Sequence, residues 1–518
     1  MALSRLAAAA VLGLLVPIAW AETASESLYA RHCAACHGAE RLGGMGPALL
    51  PENLTRVKPE RAARSIAGGL PATQMPAFGD TLSDHEIQEL VSLIYTPLPE
   101  MPTWGLEEIR GSLIQHASAE TLGAQPRFQA DPQNLFIVVE LGDHHATLLD
   151  GDRFEPIHRF PTRPNLHGGP KFSPDGRFVY FASRDGWVSK FDIYNLVTVA
   201  EVRAGINTRN IAVSADGRFV MAGNYLPHTL VVLDAETLEP VKVIPVNDGR
   251  GSSSRVSAVY TAPPRHTFVA ALKDLREVWE IPYSDEALPV YTGMMHDHRR
   301  ESGEEPLIDH SEFPVRRIQV DDYLDDFFFD QAYRHLIGAS REGGGQVVHL
   351  DVGRVIAKLD LPGLPHLGSG ISWEYEGRPI LVTPNLKEAS LSVVDMKSWI
   401  VTKRIETLGP GFFMRSHDGS PYAWTDVFFG PNRDAVHILD KETLEIVETL
   451  RPSPGKTAAH VEFTRDGRYA LLSIWDTDGA LIIYDGDSLQ EIKRIPMNKP
   501  SGKYNVYNKT HYAAGTSH

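Results

Sequence analysis

A repeated turn limits what most of this chain can fold into. From about residue 125, short alternating apolar segments are separated by turn residues, and three similar hexapeptides end in Asp-Gly-Arg, at residues 172–177, 213–218 and 463–468. An Asp-Gly pair between two alternating apolar runs is typical of a β-hairpin. The same turn at three places predicts a repeated unit of antiparallel strands.

A second mark gives the size and the number of these units. A β run ends on an acidic residue at eight places. Six of the seven intervals are 42–46 residues, and the seventh contains the surplus polar stretch 294–306. This is the size of a four-stranded propeller blade, and an array of β-sandwiches does not account for so even a period. We therefore predict an all-β, eight-bladed β-propeller over residues 125–518. A strand at 504–507 is expected to close the ring. The acidic residues are Asp150, Asp192, Asp234, Glu280, Asp351, Asp395, Asp440 and Asp485.

The two cysteines indicate a second kind of domain. Cys33 and Cys36 are separated by two residues and followed by His37, which is the pattern of covalent c-type haem attachment. Both thiols would bond the haem vinyl groups, and His37 would ligate the iron; a disulfide or a thioredoxin-like pair does not account for the adjacent histidine. The other axial ligand is predicted to be Met75, with Met45 as the alternative.

The segments around these ligands predict a small helical domain. Residues 26–31, 59–68 and 83–95 have helical patterns, and the last begins with Ser83 as its N-cap and has apolar residues along one face. Residues 22–98 therefore resemble an all-α class I cytochrome c domain. The prolines that follow predict a stiff linker over residues 99–124.

The first 21 residues predict export. Arg5 precedes an apolar run at 7–18, and small residues end at Ala21, where a signal peptidase would cleave. The run is shorter than the roughly 18–20 residues of a membrane anchor, and no later stretch could span a bilayer. The net charge of −16 argues against nucleic-acid binding. We therefore predict an acidic, periplasmic protein with no membrane span and no nucleic-acid partner.

The propeller repeat also predicts which side chains face the central channel. The innermost strand of each unit begins six to eight residues before the Asp-Gly turn, so the side chains at its start lie around the channel. Three histidines and two arginines at one place suit a large anionic cofactor with a metal, whereas any one histidine alone is more simply a structural residue. These channel residues are His167, Arg209 and His460, with Arg255, Asp325 and His366 from less direct counts.

Residues 22–518 resemble the cytochrome cd1 proteins, in which a cytochrome c domain precedes an eight-bladed propeller that holds haem d1. The resemblance rests on residues 166–168, 183–186, 365–368, 473–476 and 501–508. It implies that His167 is the proximal ligand of the d1 iron, and that His366 lies on the distal side. It also implies that Arg184, Arg209 and Arg255 lie near the carboxylates of the macrocycle, where bidentate pairing suits arginine.

The departures from the nitrite reductases of this family are informative. Those enzymes use two distal histidines, but here only His366 remains and Asp325 takes the other position. An ionised carboxylate repels an anionic substrate. His460 replaces an aliphatic residue, and Tyr504 replaces a phenylalanine. This combination resembles the dihydro-haem d1 dehydrogenases of haem d1 maturation.

That resemblance implies an oxidoreductase in which one propionate of dihydro-haem d1 becomes the acrylate of haem d1, with electrons passing to the c-type haem. His460, with an ordinary histidine pKa, is expected to accept a proton, and Tyr504 to hydrogen-bond the reacting chain or lose its own proton. The implied partners are the tetrapyrrole, small periplasmic electron carriers and the cytochrome cd1 nitrite reductase that receives haem d1. A nitrite reductase and a non-catalytic haem d1 carrier or electron-transfer protein are the alternatives.

Overall fold

A computed structural model describes residues 23–511 of the chain except 45, 56, 71–74, 297–303 and 341–342, and gives no side-chain detail for 294–296 and 304–306. The chain forms two compact units, one that ends at Pro97 and one that begins at Leu98. The predicted signal peptide, with its cleavage site after Ala21, and the alternative haem ligand Met45 lie outside the described residues. No helix in the described part is long and apolar enough to cross a bilayer.

The first unit is all-α, as predicted. Its last helix follows Ser83, whose hydroxyl accepts the Glu86 N–H while the Glu86 carboxylate accepts the Ser83 N–H. This capping box fixes the start of the helix. Its buried face, which includes Leu90, packs against Leu28 and Tyr29 of the first helix. The helices are Ala24–His32, Ala34–His37, Pro51–Leu54, Pro59–Gly68 and Asp84–Ile94.

The second unit is an eight-bladed β-propeller, also as predicted. Each blade is an antiparallel sheet built on four strands, which follow one another from the channel outward. Blade one contains Pro500–Asn505, Leu135–Glu140, His145–Asp150 and Glu155–Pro161; blade two Lys171–Phe172, Phe178–Ala182, Trp187–Asp192 and Val197–Arg203; blade three Asn207–Val213, Phe219–Leu226, Thr229–Asp234 and Pro240–Pro245; blade four Val256–Ala262, Thr267–Leu272, Glu277–Pro282 and Arg316–Gln319.

The remaining four blades follow the same order along the chain. Blade five contains Leu324–Phe329, His335–Ser340, Gly345–His349 and Arg354–Leu359; blade six Ile371–Tyr375, Arg378–Pro384, Ser390–Asp395 and Ile400–Glu406; blade seven Met414–Ser416, Tyr422–Asp426, Val436–Asp440 and Ile446–Leu450; blade eight Ala458–Phe463, Tyr469–Ile474, Gly479–Asp485 and Glu491–Met497. Short 3-10 helices lie at Ala119–Thr121, Pro132–Asn134, Pro263–Arg265 and Leu367–Ser369.

The ring is closed by a strand from the far end of the chain. Pro500–Asn505 pairs with Leu135–Glu140 as the innermost strand of blade one, and Tyr504 lies opposite Ile137. The prediction of a strand over 504–507 was wrong in its bounds, because Val506–Thr510 form a helix. Asn505 caps that helix by accepting a hydrogen bond from the backbone N–H of residue 508.

The two repeated sequence marks have separate structural causes. The Asp-Gly turn joins the first strand of a blade to the second, whereas the acidic mark ends the third strand. At six of the eight places the carboxylate accepts hydrogen bonds from backbone N–H groups of the following turn, as Asp234 does from Glu236 and Thr237. The other two acidic residues, Glu280 and Asp351, pair with the Arg265 side chain instead. A short acceptor is therefore favoured at one fixed point of the blade.

Two segments depart from the repeat. The described residues at either end of the surplus stretch 294–306 belong to the paired strands Tyr291–His296 and Glu304–Ile308, which lie in the sequence between the third and fourth strands of blade four. Residues 99–124, predicted as a linker, contain the helix Leu106–Gly111 and the strand Ile114–Gln115. That strand pairs with the outer edge of blade two, so this segment is part of the second unit.

Candidate functional site

The first unit contains the residues predicted to hold a c-type haem. His37 is buried and donates from Nδ1 to the carbonyl oxygen of Pro47 at 2.8 Å, which leaves the lone pair on Nε2 for a metal. A Cβ atom at Gly46 would lie 2.7 Å from the His37 ring, so glycine lets this loop cover the imidazole. Cys33 and Cys36 are partly exposed and not joined by a disulfide. These residues fit a covalently attached haem.

Met75 lies in the same unit as these ligands. Its side chain is partly buried and packs, together with Cys33, against the apolar core. A thioether beside that core suits an axial ligand of a haem with one buried edge. Of the two predicted methionines, Met75 is the one within the described residues.

The channel rim of the propeller is formed by two kinds of position. An innermost strand runs antiparallel to its neighbour, so the start of the first strand and the end of the second meet at the same edge of the blade. Two sets of residues form the rim. Within five residues of the starts of first strands lie His167, Arg209, Arg255, Asp325, His366 and His460. Within two residues of the ends of second strands lie Arg184, Tyr225, Lys273, Asp426 and Trp475.

His167 is held beside two arginines. Its Nδ1 donates to the carbonyl oxygen of Arg209 at 2.7 Å, so Nε2 carries the lone pair. The Arg184 guanidinium lies 2.9 Å from this Nε2, and the Arg209 guanidinium also contacts the ring. Arg209 is held in turn by donation from Nε to the carbonyl oxygen of Ser257 at 3.0 Å. The predicted iron ligand and two predicted carboxylate-binding groups are therefore adjacent.

Arg255 and Lys273 extend this positive region through blade four. Arg255 forms a bidentate pair with Asp274, at 2.8 and 2.7 Å. Lys273 pairs with Asp325 at 2.6 Å, so the charge of that carboxylate is compensated. The sequence argument did not include Lys273 as the partner of Asp325, and this ion pair weakens the expected repulsion of an anion.

Tyr225 lies among these cations. Arg184, Arg255 and Lys273 each lie within 6 Å of its ring centroid. Burial raises the pKa of Tyr225, but the nearby charges of Arg209, Lys273 and Arg184 outweigh it, so the net shift is below the usual value of 10. The lowered pKa indicates that the electrostatic potential at Tyr225 is positive, and a positive potential favours the binding of carboxylates.

His366 lies on the opposite part of the rim in aromatic surroundings. It donates from Nδ1 to the carbonyl oxygen of Phe412 at 2.6 Å, and the two ring centroids are 4.4 Å apart. The Asp326 carboxylate lies 3.9 Å from Nε2, so this residue, rather than Asp325, is the acidic neighbour of His366. Burial lowers the pKa of His366 below its usual value, which favours the neutral imidazole that a metal requires.

His460 is one of the most enclosed polar side chains of the rim, at 2% exposure. It lies at a bulge of the first strand of blade eight, with φ of +55°. Its ring is 4.7 Å from that of Phe413 and 5.2 Å from that of Tyr504. Burial, with the charges of Lys503 and Arg415, lowers its pKa well below 6.5. The expectation of an ordinary histidine pKa was therefore wrong.

Tyr504 is buried where the two parts of the rim meet. A Cβ atom at Gly169 would lie 3.1 Å from its hydroxyl, and one at Gly502 would lie closer still, so these two glycines leave the room that the phenol occupies. Burial raises the pKa of Tyr504 to about 12. Its hydroxyl therefore keeps its proton near neutrality and can donate a hydrogen bond.

The buried polar atoms of the aromatic part suit a bound polar molecule. Among the described residues, no hydrogen bond reaches Nδ1 of His460 or Nε1 of Trp475. An unpaired buried donor or acceptor is costly, and a ligand that pairs with it removes that cost. With the arginines opposite, these atoms fit a large ligand that has both an apolar ring system and carboxylates.

The structure brings the predicted propeller residues together in two groups. His167 lies with Arg184 and Arg209, and Arg255 joins them at Tyr225. His460 lies with Tyr504, and the pair Phe412 and Phe413 connects it to His366.

Sequence reasoning missed Tyr225, Lys273 and Asp426. The strand count covered only the starts of innermost strands, and the family resemblance, which supplied Arg184, did not supply these three. The signal that could have found them is the residue at the end of each second strand, which shares the rim.

Fold and site together define a propeller protein with a channel rim suited to an anionic, metal-bearing macrocycle, preceded by a haem-attachment domain. Residues 130–300 and 300–509 match the family described as cytochrome D1 heme domain, and the chain belongs to this family. Residues 21–94 match the family described as cytochrome C oxidase, cbb3-type, subunit III. The resemblance predicted from the sequence is confirmed.

Named relatives refine this placement. The chain is 58% identical over 498 residues to a Pseudomonas aeruginosa protein named dihydro-heme d1 dehydrogenase, covering 96% of each. It is 24% identical over 542 residues to a Stutzerimonas stutzeri nitrite reductase, covering 94% and 92%. A solved structure titled "Dihydro-heme d1 dehydrogenase NirN in complex with DHE" superposes with a TM-score of 0.87 and 57% identity, covering 94% of this chain and 100% of that one.

Proposed function

We propose that this protein is a dihydro-haem d1 dehydrogenase, which converts one propionate of dihydro-haem d1 into the acrylate of haem d1. The high identity to a relative of that name over nearly the whole chain supports this assignment. The observation that carries it is the buried pair of His460 and Tyr504, with ring centroids 5.2 Å apart, facing a rim of arginines. A buried imidazole beside a phenol can remove and pass on protons, while arginines orient carboxylates.

The cationic part of the rim binds and orients the substrate in this proposal. His167 would ligate the iron through Nε2 after the Arg184 and Arg209 guanidiniums, which contact that atom in this structure, turn toward the substrate carboxylates. His366 would lie on the distal side with its own Nε2 unprotonated. Arg184, Arg209 and Arg255 pair with the carboxylates. When the carboxylates and the iron are both held, the reacting propionate of the substrate has one defined position at the rim. This positioning lowers the entropic part of the activation free energy.

The aromatic part removes the protons. Conversion of –CH2–CH2–COO⁻ into –CH=CH–COO⁻ releases two protons and two electrons. Neutral His460 accepts the two protons in turn through a ring nitrogen, and it passes the first proton on to solvent before it accepts the second. Tyr504 donates a hydrogen bond that orients the reacting chain, because its raised pKa keeps the hydroxyl protonated. The low exposure of both side chains excludes water from the reacting carbons.

The first unit supplies the electron acceptor. Cys33 and Cys36 would hold a covalent haem c, with His37 and Met75 as the residues that ligate its iron. The group would supply one-electron acceptance, so an external oxidant would have to remove an electron between the two transfers. Donation by His37 to the carbonyl oxygen of Pro47 fixes the orientation of the imidazole. The core around Met75 shields that side of the haem site from water.

The setting of the reaction follows from the sequence. The signal-peptide pattern of residues 1–21 supports a periplasmic location, where small electron carriers would reoxidise haem c. The product would pass to the cytochrome cd1 nitrite reductase. The nitrite reductase of Stutzerimonas stutzeri is a relative of this chain.

The decisive experiment is a single conversion. The purified protein is incubated with dihydro-haem d1 and an electron acceptor, and the extracted tetrapyrrole is identified by mass; a product lighter by two hydrogen atoms is expected. Incubation without the acceptor and the variant His167→Ala are the controls. An unchanged tetrapyrrole would contradict the proposal, and rapid nitrite turnover by the haem d1-loaded protein would reassign it to the reductases.

A further inference from the structure

Asp426 is a buried carboxylate to which neither the fold nor the proposed reaction assigns a role. It ends the second strand of blade seven, at 2% exposure. Its Oδ1 accepts hydrogen bonds from the backbone N–H groups of Phe412 and Phe413 at 2.7 and 3.1 Å. Its Oδ2 accepts one from the backbone N–H of His460 at 3.3 Å. One carboxylate therefore holds two segments of the rim.

The segment bound by Oδ1 leads directly to the distal histidine. The carbonyl oxygen of Phe412 accepts the hydrogen bond from His366 Nδ1 at 2.6 Å. The Phe412 ring packs on His366, and the Phe413 ring packs on His460, with centroids 4.4 and 4.7 Å apart. The two phenylalanine rings also contact each other. His366 and His460 are thus connected through a single pair of residues.

The other side of His460 is held as well. The Lys503 ammonium donates to the carbonyl oxygen of His460. The backbone of His460 is therefore held at its N–H by Asp426 and at its carbonyl by Lys503. Both holding groups are ionisable and deeply buried, at 2% and 0% exposure.

Burying two ionisable groups disfavours the folded state, which indicates that this arrangement has a role beyond packing. Burial raises the pKa of Asp426 to about 7, although three N–H donors and Lys503 oppose this shift. An apolar side chain of similar volume would avoid the cost of burying a carboxylate. A carboxylate offers what an apolar group or an amide cannot, namely two oxygens that both accept from N–H groups on two segments.

We propose that Asp426 is a positioning residue that fixes the distance between His366 and His460, so that the distal ligand and the proton acceptor act on the same bound tetrapyrrole. The inference rests on the proposed dehydrogenase function. It assigns Asp426 no contact with the substrate, since its carboxylate oxygens accept from the backbone N–H groups of Phe412, Phe413 and His460.

The test is Asp426→Asn, which keeps the size but replaces one oxygen with an NH2 group that faces an N–H donor. Asp434→Asn is the matched control. Asp434 is a buried carboxylate of the same blade that accepts the Gly455 N–H at 2.9 Å and pairs with Arg451, away from both histidines. Both variants should lose similar thermal stability, because each loses one acceptor of a backbone N–H.

The two variants should differ in two other measurements. Asp426→Asn should lower kcat about tenfold or more with KM within about threefold, whereas Asp434→Asn should leave both nearly unchanged. Asp426→Asn should also change the electron paramagnetic resonance spectrum of bound ferric haem d1, since His366 would shift. Equal kcat and equal spectra in the two variants would overturn the proposal.

The spectrum separates this inference from the proposed function. If the wild type binds haem d1 without oxidising dihydro-haem d1, the proposed function fails, but a spectral change specific to Asp426→Asn still supports the positioning role. If Asp426→Asn does not fold, Asp426→Ser, which retains one acceptor, is measured in its place. Failure of both to fold would make Asp426 a purely structural residue and overturn the inference.

Discussion

The two parts of the channel rim differ in almost every physical property. The part built on blades two to four carries four cationic side chains, and their partners include the carboxylates of Asp274 and Asp325. The part built on blades six to eight and the closing strand is aromatic and little exposed, and charged groups such as Arg415, Lys503 and Asp426 are buried beside neutral histidines. The first resembles an anion-binding surface, and the second resembles a protein core.

This difference separates binding from chemistry. Charged groups that remain partly exposed can recognise carboxylates without a large desolvation cost. Proton removal from carbon needs an unprotonated base, and the exclusion of water strengthens the contacts that orient the reacting chain; the aromatic part provides both. Substitutions in the cationic part should therefore act mainly on KM, and substitutions in the aromatic part mainly on kcat.

The largest effect is expected for Tyr504→Phe. The change removes one hydroxyl from the buried pair and leaves the ring in place, so tetrapyrrole binding should persist while kcat for acrylate formation falls by about 10²-fold. Steady-state kinetics with binding titrations measure both. Tyr507→Phe, in the adjoining helix, is the control and should behave as the wild type. Full activity of Tyr504→Phe would leave His460 as the sole proton-handling group.

A smaller loss is expected for His460→Ala. The variant loses the proton acceptor, but water entering the space can partly replace it, so kcat should fall about tenfold with little change in KM. His437→Ala is a close control, because His437 is also a buried histidine whose pKa is lowered by burial, to about 4, but lies in the third strand of blade seven. Equal losses in the two variants would mean that His460 matters only for stability.

The cationic part should respond differently to Arg255→Gln. Removal of the guanidinium leaves the Asp274 carboxylate without its bidentate partner, so a negative charge faces the substrate carboxylates. KM should rise about fivefold while kcat changes little. Arg218→Gln, which removes an exposed arginine paired with Asp216 in a turn, should change neither constant. If Arg255→Gln lowered kcat and left KM unchanged, the assignment of binding to the cationic part and of chemistry to the aromatic part would be wrong.

The smallest effect concerns pH. His460 must be neutral to accept a proton, and its pKa lies well below 6.5, so lowering the pH to 6.5 should not protonate it. Tyr504, with a pKa of about 12, stays protonated up to strongly basic pH. The contribution of this pair to kcat should therefore vary less than about twofold between pH 6.5 and 8. A fall in kcat at acidic pH with a midpoint above 6.5, present in the wild type and absent in His460→Gln, would show that burial does not lower the pKa of this histidine.

The sequence was sufficient for the fold and for part of the rim. The Asp-Gly turn and the short innermost strand fix a register, so counting back from the turn finds Arg209 and His460. The end of a second strand has no such mark, which is why Tyr225 and Lys273 were missed. Partners from different blades, such as Lys273 for Asp325, depend on how the ring closes and have no local signature.

The pKa shifts of the rim residues could not be predicted from the sequence either, because they also depend on residues of other elements. The pKa of His460 depends on its enclosure by Phe413 and Tyr504 and on the charges of Lys503 and Arg415, which lie on other elements. A reference pKa was the available guide, and burial moved the true value away from it.

The closing strand has a consequence for how the enzyme is made. Tyr504 lies on Pro500–Asn505, which pairs with Leu135–Glu140 from the first part of the propeller. A nascent chain interrupted before this strand would contain His167, the arginines and His460, but neither a sealed ring nor the phenol. The rim cannot be completed until synthesis has passed residue 505. A chain that ends before this strand therefore lacks both ring closure and Tyr504, so we expect it to have no dehydrogenase activity even though it contains the iron ligand and the proton acceptor.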